Sequence, residues 1–183
     1  MISRIRQAAR LFVLSLAILS VAFSALARGQ APSRPDVPDA IQAPAGEVVL
    51  LRVHAVGSQI YSCQVAADGK AGWTLKAPEA ELRDPQGEVL GRHFAGPTWK
   101  HKDGSEVTGK AAAKVDAPEA RSIPWLLVSA TGHSGTGVFS AVTSIQRVHT
   151  KGGVAPASGC TQGAEVKSGY EADYYFYGRG DRF

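Results

Sequence analysis

The segment VVLLRVHAVGSQIYSCQV, residues 48–65, decides the fold class of this chain. Its first half places an apolar residue at every second position: Val49, Leu51, Val53 and Ala55. Alternation with a period of two is typical of a β-strand with one buried face. Gly57 interrupts the alternation, which resumes at residues 61–65. The segment therefore predicts two strands joined by a turn at Gly57, which is a β-hairpin.

The same alternation continues along the rest of the chain. Asp84-Pro85-Gln86-Gly87 predicts a turn, because proline is pre-set for its second position. Residues 125–128 form a short apolar run, and residues 138–150 are rich in Val, Thr and Ile, which favours strand. A closing strand is indicated by alternating apolar residues: Tyr170, Ala172, Tyr174 and Phe176. We therefore predict an all-β fold, a single-domain antiparallel sandwich or barrel built from hairpins.

Asp103-Gly104 predicts the position of one particular hairpin. Asp-Gly between two strands favours a two-residue type I′ turn. With two residues in the loop, Lys102 would face Ser105 across the hairpin. His101 would then face Glu106, and Trp99 would face Thr108. This register predicts four residues on one face of the hairpin: Trp99, His101, Glu106 and Thr108.

The residues around this hairpin are the candidate functional site. His93, Trp99, His101 and Glu106 are reactive or bulky side chains close to the turn at Gly96-Pro97. A histidine facing a glutamate across a hairpin is either an acid/base pair or an ordinary surface pair. We assign these four residues to ligand binding, and we assign no catalytic residue and no metal ligand, because no zinc-type or metalloprotease spacing of histidines is present.

The first 27 residues predict export. Arg4, Arg6 and Arg10 precede an apolar run that ends at Ala25-Leu26-Ala27, which is the pattern of a signal peptide with its cleavage site. The run is too short and too often interrupted by serine to favour a membrane anchor. We expect a periplasmic or extracellular protein with no transmembrane segment after cleavage. The predicted divisions are a signal peptide, a Pro-rich extended lead-in, one β domain and a C-terminal tail: residues 1–27, 28–45, 46–177 and 178–183.

The charge of the chain excludes one class of partner. The formal net charge is +4. Three of these charges belong to the arginines of the predicted signal peptide, so the remaining chain keeps a net charge of one. A nucleic-acid-binding protein would be expected to keep a strong basic excess. We therefore expect no nucleic-acid partner, and an unknown small molecule or an envelope component instead.

The two cysteines, Cys63 and Cys160, predict a disulfide. An even number of cysteines in an exported chain usually forms a bond in the oxidising compartment outside the cytoplasm. A metal pair or a catalytic thiol is the alternative, but neither cysteine lies in a C-x-x-C spacing or in an enzyme signature.

Seven segments carry a resemblance to a known family. They are GSQIYSC at 57–63, Trp73, GRHFAGPTW at 91–99, DGS at 103–105, IPWLL at 123–127, IQRVHTKGG at 145–153 and YYFY at 174–177. The chain resembles the exported family catalogued as domain of unknown function 3455, from about Pro38 to Tyr177. The block His-x-x-Gly-Pro-x-Trp, which begins at His93, is the most distinctive part of the resemblance. The family has no established activity, cofactor or catalytic residue to transfer.

The expected function is therefore a non-catalytic one. Some members of that family carry a malate dehydrogenase label, but this chain lacks the Gly-x-Gly-x-x-Gly unit of a nicotinamide enzyme, and we expect no cofactor. The leading hypothesis is an exported β-domain protein that binds a ligand or belongs to the envelope structure. The alternative is a small hydrolase or metal-assisted enzyme that uses His93, His101 and Glu106, with Trp99 as a substrate platform.

Overall fold

The computed structural model describes residues 32–180, so the predicted signal peptide, its cleavage site and the last three residues of the tail lie outside the described residues. Eight strands make up the fold: β1 (Glu47–Val65), β2 (Ala71–Arg83), β3 (Val89–Phe94), β4 (Thr98–His101), β5 (Glu106–Val115), β6 (Trp125–Ser134), β7 (Ser144–Gly152) and β8 (Glu165–Arg179). Two short 3₁₀ helices accompany them: Asp39–Ile41 and Val138–Ala141. The last strand extends two residues beyond Tyr177. Within residues 32–180, no helix has the length and apolar character that a bilayer crossing requires.

The strands form one closed antiparallel barrel. Each strand pairs with the next along the chain, and β1 pairs with β8 to close the sheet. The all-β antiparallel prediction is confirmed, and of its two alternatives the structure is the barrel. In this up-and-down order every second connection lies at the same end. We call the end that holds the β1–β2, β3–β4, β5–β6 and β7–β8 connections the upper end.

The barrel interior holds the main core. The predicted closing strand is confirmed as β8, and its alternating residues Tyr170, Ala172, Tyr174 and Phe176 all lie inside, each at most 3% exposed. Val53 and Ala55 of the neighbouring strand β1 pair with Tyr174 and Ala172, and they lie in the same core. Val49, however, lies outside, because a bulge between Val49 and Leu51 changes the phase of β1.

A second apolar cluster covers the outside of β7 and β8. Tyr175 and Tyr177 point outward, and Ile41 of the lead-in packs on them with no exposed surface. The side chain of Gln146 donates a hydrogen bond of 2.6 Å to the carbonyl of Ile41. The lead-in, predicted as an extended segment before the β domain, is therefore not extended throughout, because Asp39–Ile41 is a 3₁₀ helix that packs on the domain through Ile41.

The predicted turn at Gly57 is wrong. β1 runs without a break through Gly57, which pairs with Ala80 on β2 and with Tyr170 on β8. A Cβ atom at this position would lie 2.1 Å from the carbonyl oxygen of Glu79. Glycine therefore serves here as a point of close approach between two long strands, and not as a turn. The predicted turn at Asp84–Gly87 is confirmed by a hydrogen bond of 3.0 Å from the N–H of Gly87 to the carbonyl of Asp84.

The predicted two-residue loop at Asp103-Gly104 is wrong by one residue. His101 and Ser105 flank the loop, and the N–H of His101 donates to the carbonyl of Ser105 at 2.9 Å. The loop therefore has three residues, with Gly104 in the left-handed region at a φ of 92°. Trp99 pairs with Val107 as a result, so Thr108 and Glu106 lie on the face opposite to Trp99.

The predicted strand at 138–150 begins later than expected. Val138–Ala141 is a 3₁₀ helix, and β7 starts at Ser144. Phe139 of this helix is fully buried and packs on Phe176, with ring centroids 4.4 Å apart. The helix therefore closes the lower end of the barrel interior.

The predicted disulfide is present. Cys63, near the end of β1, is bonded to Cys160 in the β7–β8 connection, with Cα atoms 5.8 Å apart. The bond ties the long upper connection to the barrel wall. Trp73 of β2 adds a hydrogen bond of 3.2 Å from its indole N–H to the carbonyl of Ser158 in the same connection.

Candidate functional site: a cavity in the upper half of the barrel

A cavity of about 390 Å³ occupies the upper half of the barrel. This volume is within the range of small-molecule sites, which is about 300–1,000 Å³. Eight-stranded barrels have interiors just wide enough to be filled by side chains or to hold one small ligand. The lining of this cavity combines apolar residues with a few polar ones: Gln59, Leu75, Lys76, Ala77, Pro78, His93, Gly96, Pro97, Trp99, Ala111, Leu126, Val128, Arg147 and Tyr174.

The cavity opens where the barrel wall is incomplete. The β3–β4 hairpin is short, and its tip at Gly96-Pro97 reaches only part of the way up the neighbouring strands. Residues 71–79 of β2 therefore pair with β1 alone, and residues 110–115 of β5 pair with β6 alone. The gap between these two strand edges leads to the cavity, since Pro78 and Ala111 line it from the two sides.

Two of the predicted site residues meet at the floor of this cavity. His93 and Trp99 are paired across the β3–β4 hairpin, and their rings stack with centroids 4.3 Å apart and planes 6° apart. Tyr174 of β8 meets both rings edge-on, at 5.4 Å from His93 and 5.7 Å from Trp99. The three rings form a rigid platform, because each is at most 3% exposed and is held by its neighbours.

Burial fixes the protonation state of His93. Nδ1 lies 2.9 Å from the carbonyl oxygen of Thr98, which can only accept, so Nδ1 carries the hydrogen. Burial lowers the pKa of His93 to about 3, the hydrogen bond to Thr98 opposes the shift, and the positive charge of Arg147 adds to it. His93 is therefore a neutral imidazole at physiological pH, and its Nε2 is a hydrogen-bond acceptor.

Several buried polar atoms at the cavity have no hydrogen-bond partner among residues 32–180. They are the indole N–H of Trp99, the Oε1 of Gln59 and the hydroxyl of Tyr174, which lies beside the hydroxyl of Tyr170 and the guanidinium of Arg147 without a hydrogen bond of standard geometry. The hydroxyl of Tyr170, nearer the upper end of β8, is in the same position beside Tyr174. Buried polar groups are almost always paired in folded proteins, and each unpaired one costs about 1–3 kcal/mol. Three of the residues with such atoms line this cavity, and a few polar groups in a mostly apolar pocket are typical of a ligand site; the indole N–H of Trp125, in the outer cluster, is also without a partner in this part of the chain.

Arg147 supplies the positive charge of the cavity. The residue lies on β7 with its side chain on the inner face, beside Leu126 of β6. Two of its N–H groups donate to the carbonyl oxygen of Pro124, at 3.3 and 2.8 Å. None of the cavity-lining residues described here is acidic. Burial raises the pKa of Tyr174, and the charge of Arg147 and the nearby polar groups of Tyr170 and Arg147 partly offset this shift, so the hydroxyl stays protonated.

The other two predicted site residues lie elsewhere. His101 is below the platform, where its ring meets Phe139 edge-on at 5.6 Å and its Nδ1 lies 3.0 Å from the carboxylate of Asp103. Asp103 also accepts the N–H of Val138 at 2.9 Å and so connects the hairpin to the 3₁₀ helix. His101 therefore contacts the closure of the lower end and does not line the cavity.

Glu106 lies on the outer surface of the barrel. Its carboxylate pairs with the ammonium of Lys100 at 2.6 Å, across the β4–β5 pairing. The prediction that Glu106 shares a face with Trp99 and His101 is wrong, because the three-residue loop changes the register by one position. The structure thus brings together His93 and Trp99 and separates them from Glu106.

Three cavity residues were missed at the sequence level. Gln59, Arg147 and Tyr174 each stand at an inward position of an otherwise apolar alternation. The signal was present, since a glutamine or an arginine in phase with buried residues is unusual. It was not used, because the turn predicted at Gly57 separated Gln59 from the alternation before it, and because the start of β7 was placed too early.

A second polar cluster lies on the outer face of β1, β7 and β8. Asp173 accepts hydrogen bonds from the rings of His54 and His149, each at 3.0 Å, and from the guanidinium of Arg52 at 3.0 Å. Both ring bonds use Nδ1, so Asp173 fixes the orientation of the two imidazoles. In the described part of the chain, no group of three or more His, Cys, Asp or Glu side chains has the arrangement of a metal site.

Comparison with known proteins adds one result to this geometry. No curated protein and no solved structure matches the sequence significantly. Residues 44–178, which form most of the chain and the barrel except the last residue of β8, match the sequence profile described as a protein of unknown function, DUF3455. The resemblance carried by the His-x-x-Gly-Pro-x-Trp block is confirmed. The chain is therefore a member of the DUF3455 family.

Proposed function

We propose that this protein is exported and binds one small molecule in the upper cavity of its barrel. The single observation that carries the proposal is the set of buried, unpartnered polar atoms around that cavity, on Gln59, Trp99 and Tyr174. These atoms have almost no accessible surface, so a ligand would reach them only after a small shift of the side chains that cover them, and pairing would then recover the free energy that their burial costs.

The shape of the site supports binding over catalysis. The hydrolase alternative requires His93, His101 and Glu106 to act on one substrate. His93 lines the cavity, His101 contacts the lower closure and Glu106 pairs with Lys100 outside. A nucleophile and a general base within hydrogen-bond reach would also be required, and the contacts of His93 are Thr98, Trp99 and Tyr174.

The disulfide supports export. Cysteine pairs persist as disulfides in oxidising compartments and are rare in the cytoplasm. The Cys63–Cys160 bond is in agreement with the signal peptide predicted for residues 1–27.

Binding can be tested with one pair of isosteric probes. 2-Naphthoate and 2-naphthamide have an apolar body that fits the cavity, and they differ in charge. We expect calorimetric titration to show one binding site per chain for at least one of them.

Two variants locate the site. Ala111→Phe should fill the cavity from its lining and weaken binding by about tenfold or more. Ala112→Phe, at the adjacent exposed position that does not line the cavity, should leave the affinity unchanged. The proposal is overturned if neither probe binds the folded protein, or if both variants bind as well as the wild type.

A further inference from the structure

The polar part of the cavity lining offers hydrogen-bond donors on Trp99, Tyr174 and Arg147, together with two acceptors, the Oε1 of Gln59 and the Nε2 of His93. The Trp99 indole N–H has no partner among residues 32–180, and the Tyr174 hydroxyl lies beside Tyr170 and Arg147 without a hydrogen bond of standard geometry. Arg147 adds its remaining N–H groups, since only two of them are used on Pro124. An indole and a guanidinium can only donate, so a ligand must offer acceptor atoms to satisfy them.

The charge of Arg147 has no acidic partner in the described residues. The second cation of the lining, Lys76, is already paired with Glu165. Arg147 makes no ion pair in residues 32–180, and its guanidinium donates instead to a neutral carbonyl oxygen. A partly buried cation beside unpartnered donors attracts an anion strongly, because the interior screens charge less than water does.

The rest of the lining is apolar. Leu75, Leu126 and Val128 face the cavity, together with prolines and alanines of the rim. A bare inorganic anion would leave this surface uncovered, so the lining suits an acid with an apolar body. One cation in a fork geometry matches one carboxylate.

We infer that the ligand is a small organic acid, with its carboxylate on Arg147 and its apolar body toward the gap between β2 and β5. This inference rests on the proposed function and adds the chemical class of the ligand. Trp99 and Tyr174 are the neutral donors that complete the anion site.

The probes 2-naphthoate and 2-naphthamide test the inference, because they differ only in the acid group. Wild-type protein should bind 2-naphthoate tighter than 2-naphthamide by about tenfold or more, as expected for a charge-assisted hydrogen bond. Arg147→Met should abolish this preference and bring the two affinities within about twofold of each other.

The matched control is Arg92→Met. Arg92 is exposed on β3 and does not line the cavity, so this variant loses the same charge from the outer surface. It should keep the full preference for 2-naphthoate. If Arg147→Met does not fold, Arg147→Lys keeps the charge without the fork, and it should weaken 2-naphthoate about threefold or more with 2-naphthamide unchanged.

The outcomes separate the two proposals. Equal affinity of the two probes in the wild type overturns the acid and leaves the binding function standing. A preference that survives in Arg147→Met, or an equal loss for both probes in Arg147→Lys, overturns the role of Arg147. Failure of both probes to bind the folded wild type removes the proposed function itself.

Discussion

The imidazole of His93 lies parallel to the indole of Trp99, with ring centroids 4.3 Å apart and an angle of 6° between the planes. The stack exists because the two residues face each other across the β3–β4 hairpin and both point into the barrel. It places a histidine in the floor of the cavity, away from water. The neutral state of His93 is the direct consequence, and it can be measured.

The first prediction concerns acid stability. Above pH 6.5 the imidazole of His93 is neutral in the folded and the unfolded chain, so its burial does not change the pH dependence. Below pH 6.5 the unfolded chain takes up a proton, whereas folded His93 stays neutral until its pKa of about 3. The free energy of unfolding should therefore fall by about 1.4 kcal/mol per pH unit in this window, or about 2 kcal/mol between pH 6.5 and 5.

Chemical denaturation at pH 7 and pH 5 measures this loss. His93→Gln keeps a side-chain donor for Thr98 but cannot titrate, so its stability should depend less on pH. Trp99→Phe is the control, because it alters the same stack and retains the imidazole. Identical pH dependence in the wild type and His93→Gln would show that His93 is not held neutral by the fold.

A second prediction concerns Gly57, which sequence analysis placed in a turn. An alanine Cβ at this position would lie 2.1 Å from the Glu79 carbonyl oxygen and 2.4 Å from the Ala80 Cα. Both atoms are backbone, so the β1–β2 pairing would have to separate. Gly57→Ala should cost about 3 kcal/mol or more.

Gly72→Ala is the matched control on the same pair of strands. A Cβ at Gly72 meets no atom within 4 Å. Its stability should change by less than about 1 kcal/mol. Thermal and chemical unfolding of the two variants compare them directly, and a similar loss in both would mean that close packing at Gly57 is not required.

The third prediction concerns the β4–β5 loop. Gly104 has a φ of 92°, and a Cβ there would meet no atom within 4 Å. The cost of substitution is therefore backbone strain alone. Gly104→Val should lose about 1–3 kcal/mol of stability, and Gly104→Asn should lose less, because asparagine tolerates positive φ. Lys102→Val in the same loop is the control and should be close to neutral. Equal melting temperatures for all three variants would contradict the left-handed conformation of Gly104.

A fourth prediction concerns processing and oxidation. Intact-mass analysis of the exported protein should show an N-terminus at Arg28 and no alkylatable thiol under native, non-reducing conditions. The double variant Cys63→Ser with Cys160→Ser should lose about 4–5 kcal/mol, since the bond closes a loop with a sequence separation of 97. An uncleaved N-terminus would contradict export, and two free thiols would contradict the disulfide.

The sequence predicted the local pattern of the fold better than its closure. The apolar residues at every second position from Tyr170 to Phe176 predicted β8 correctly, because they are the residues on the buried face of that strand. Pairing of β1 with β8 joins residues more than 100 positions apart, and no local pattern distinguishes it from a sandwich. The burial of Ile41 in the lead-in could not be predicted either, because the side chains it packs on are outward-facing residues of strands that are distant in the sequence.

The candidate site was predicted only in part, because some of its residues are brought together by the pairing of distant strands. His93 and Trp99 were identified by their unusual types, and a hairpin brings them together. Glu106 was misplaced by one position of register, which in a strand moves a side chain to the opposite face. Arg147 was not assigned, because its position opposite Trp99 follows only from the closed barrel.

The central claim is that a ligand occupies the cavity beside Trp99, and the indole N–H resonances test it most directly. The chain has three tryptophans. Trp99 lines the cavity, Trp73 donates its N–H to Ser158, and Trp125 lies in the outer cluster; the N–H groups of Trp99 and Trp125 are unpartnered among the described residues. In a ¹H–¹⁵N spectrum assigned with Trp99→Phe, 2-naphthoate should shift the Trp99 indole signal in a saturable way and leave those of Trp73 and Trp125 in place. An unchanged Trp99 signal at saturating 2-naphthoate, or equal shifts of all three, would contradict the account.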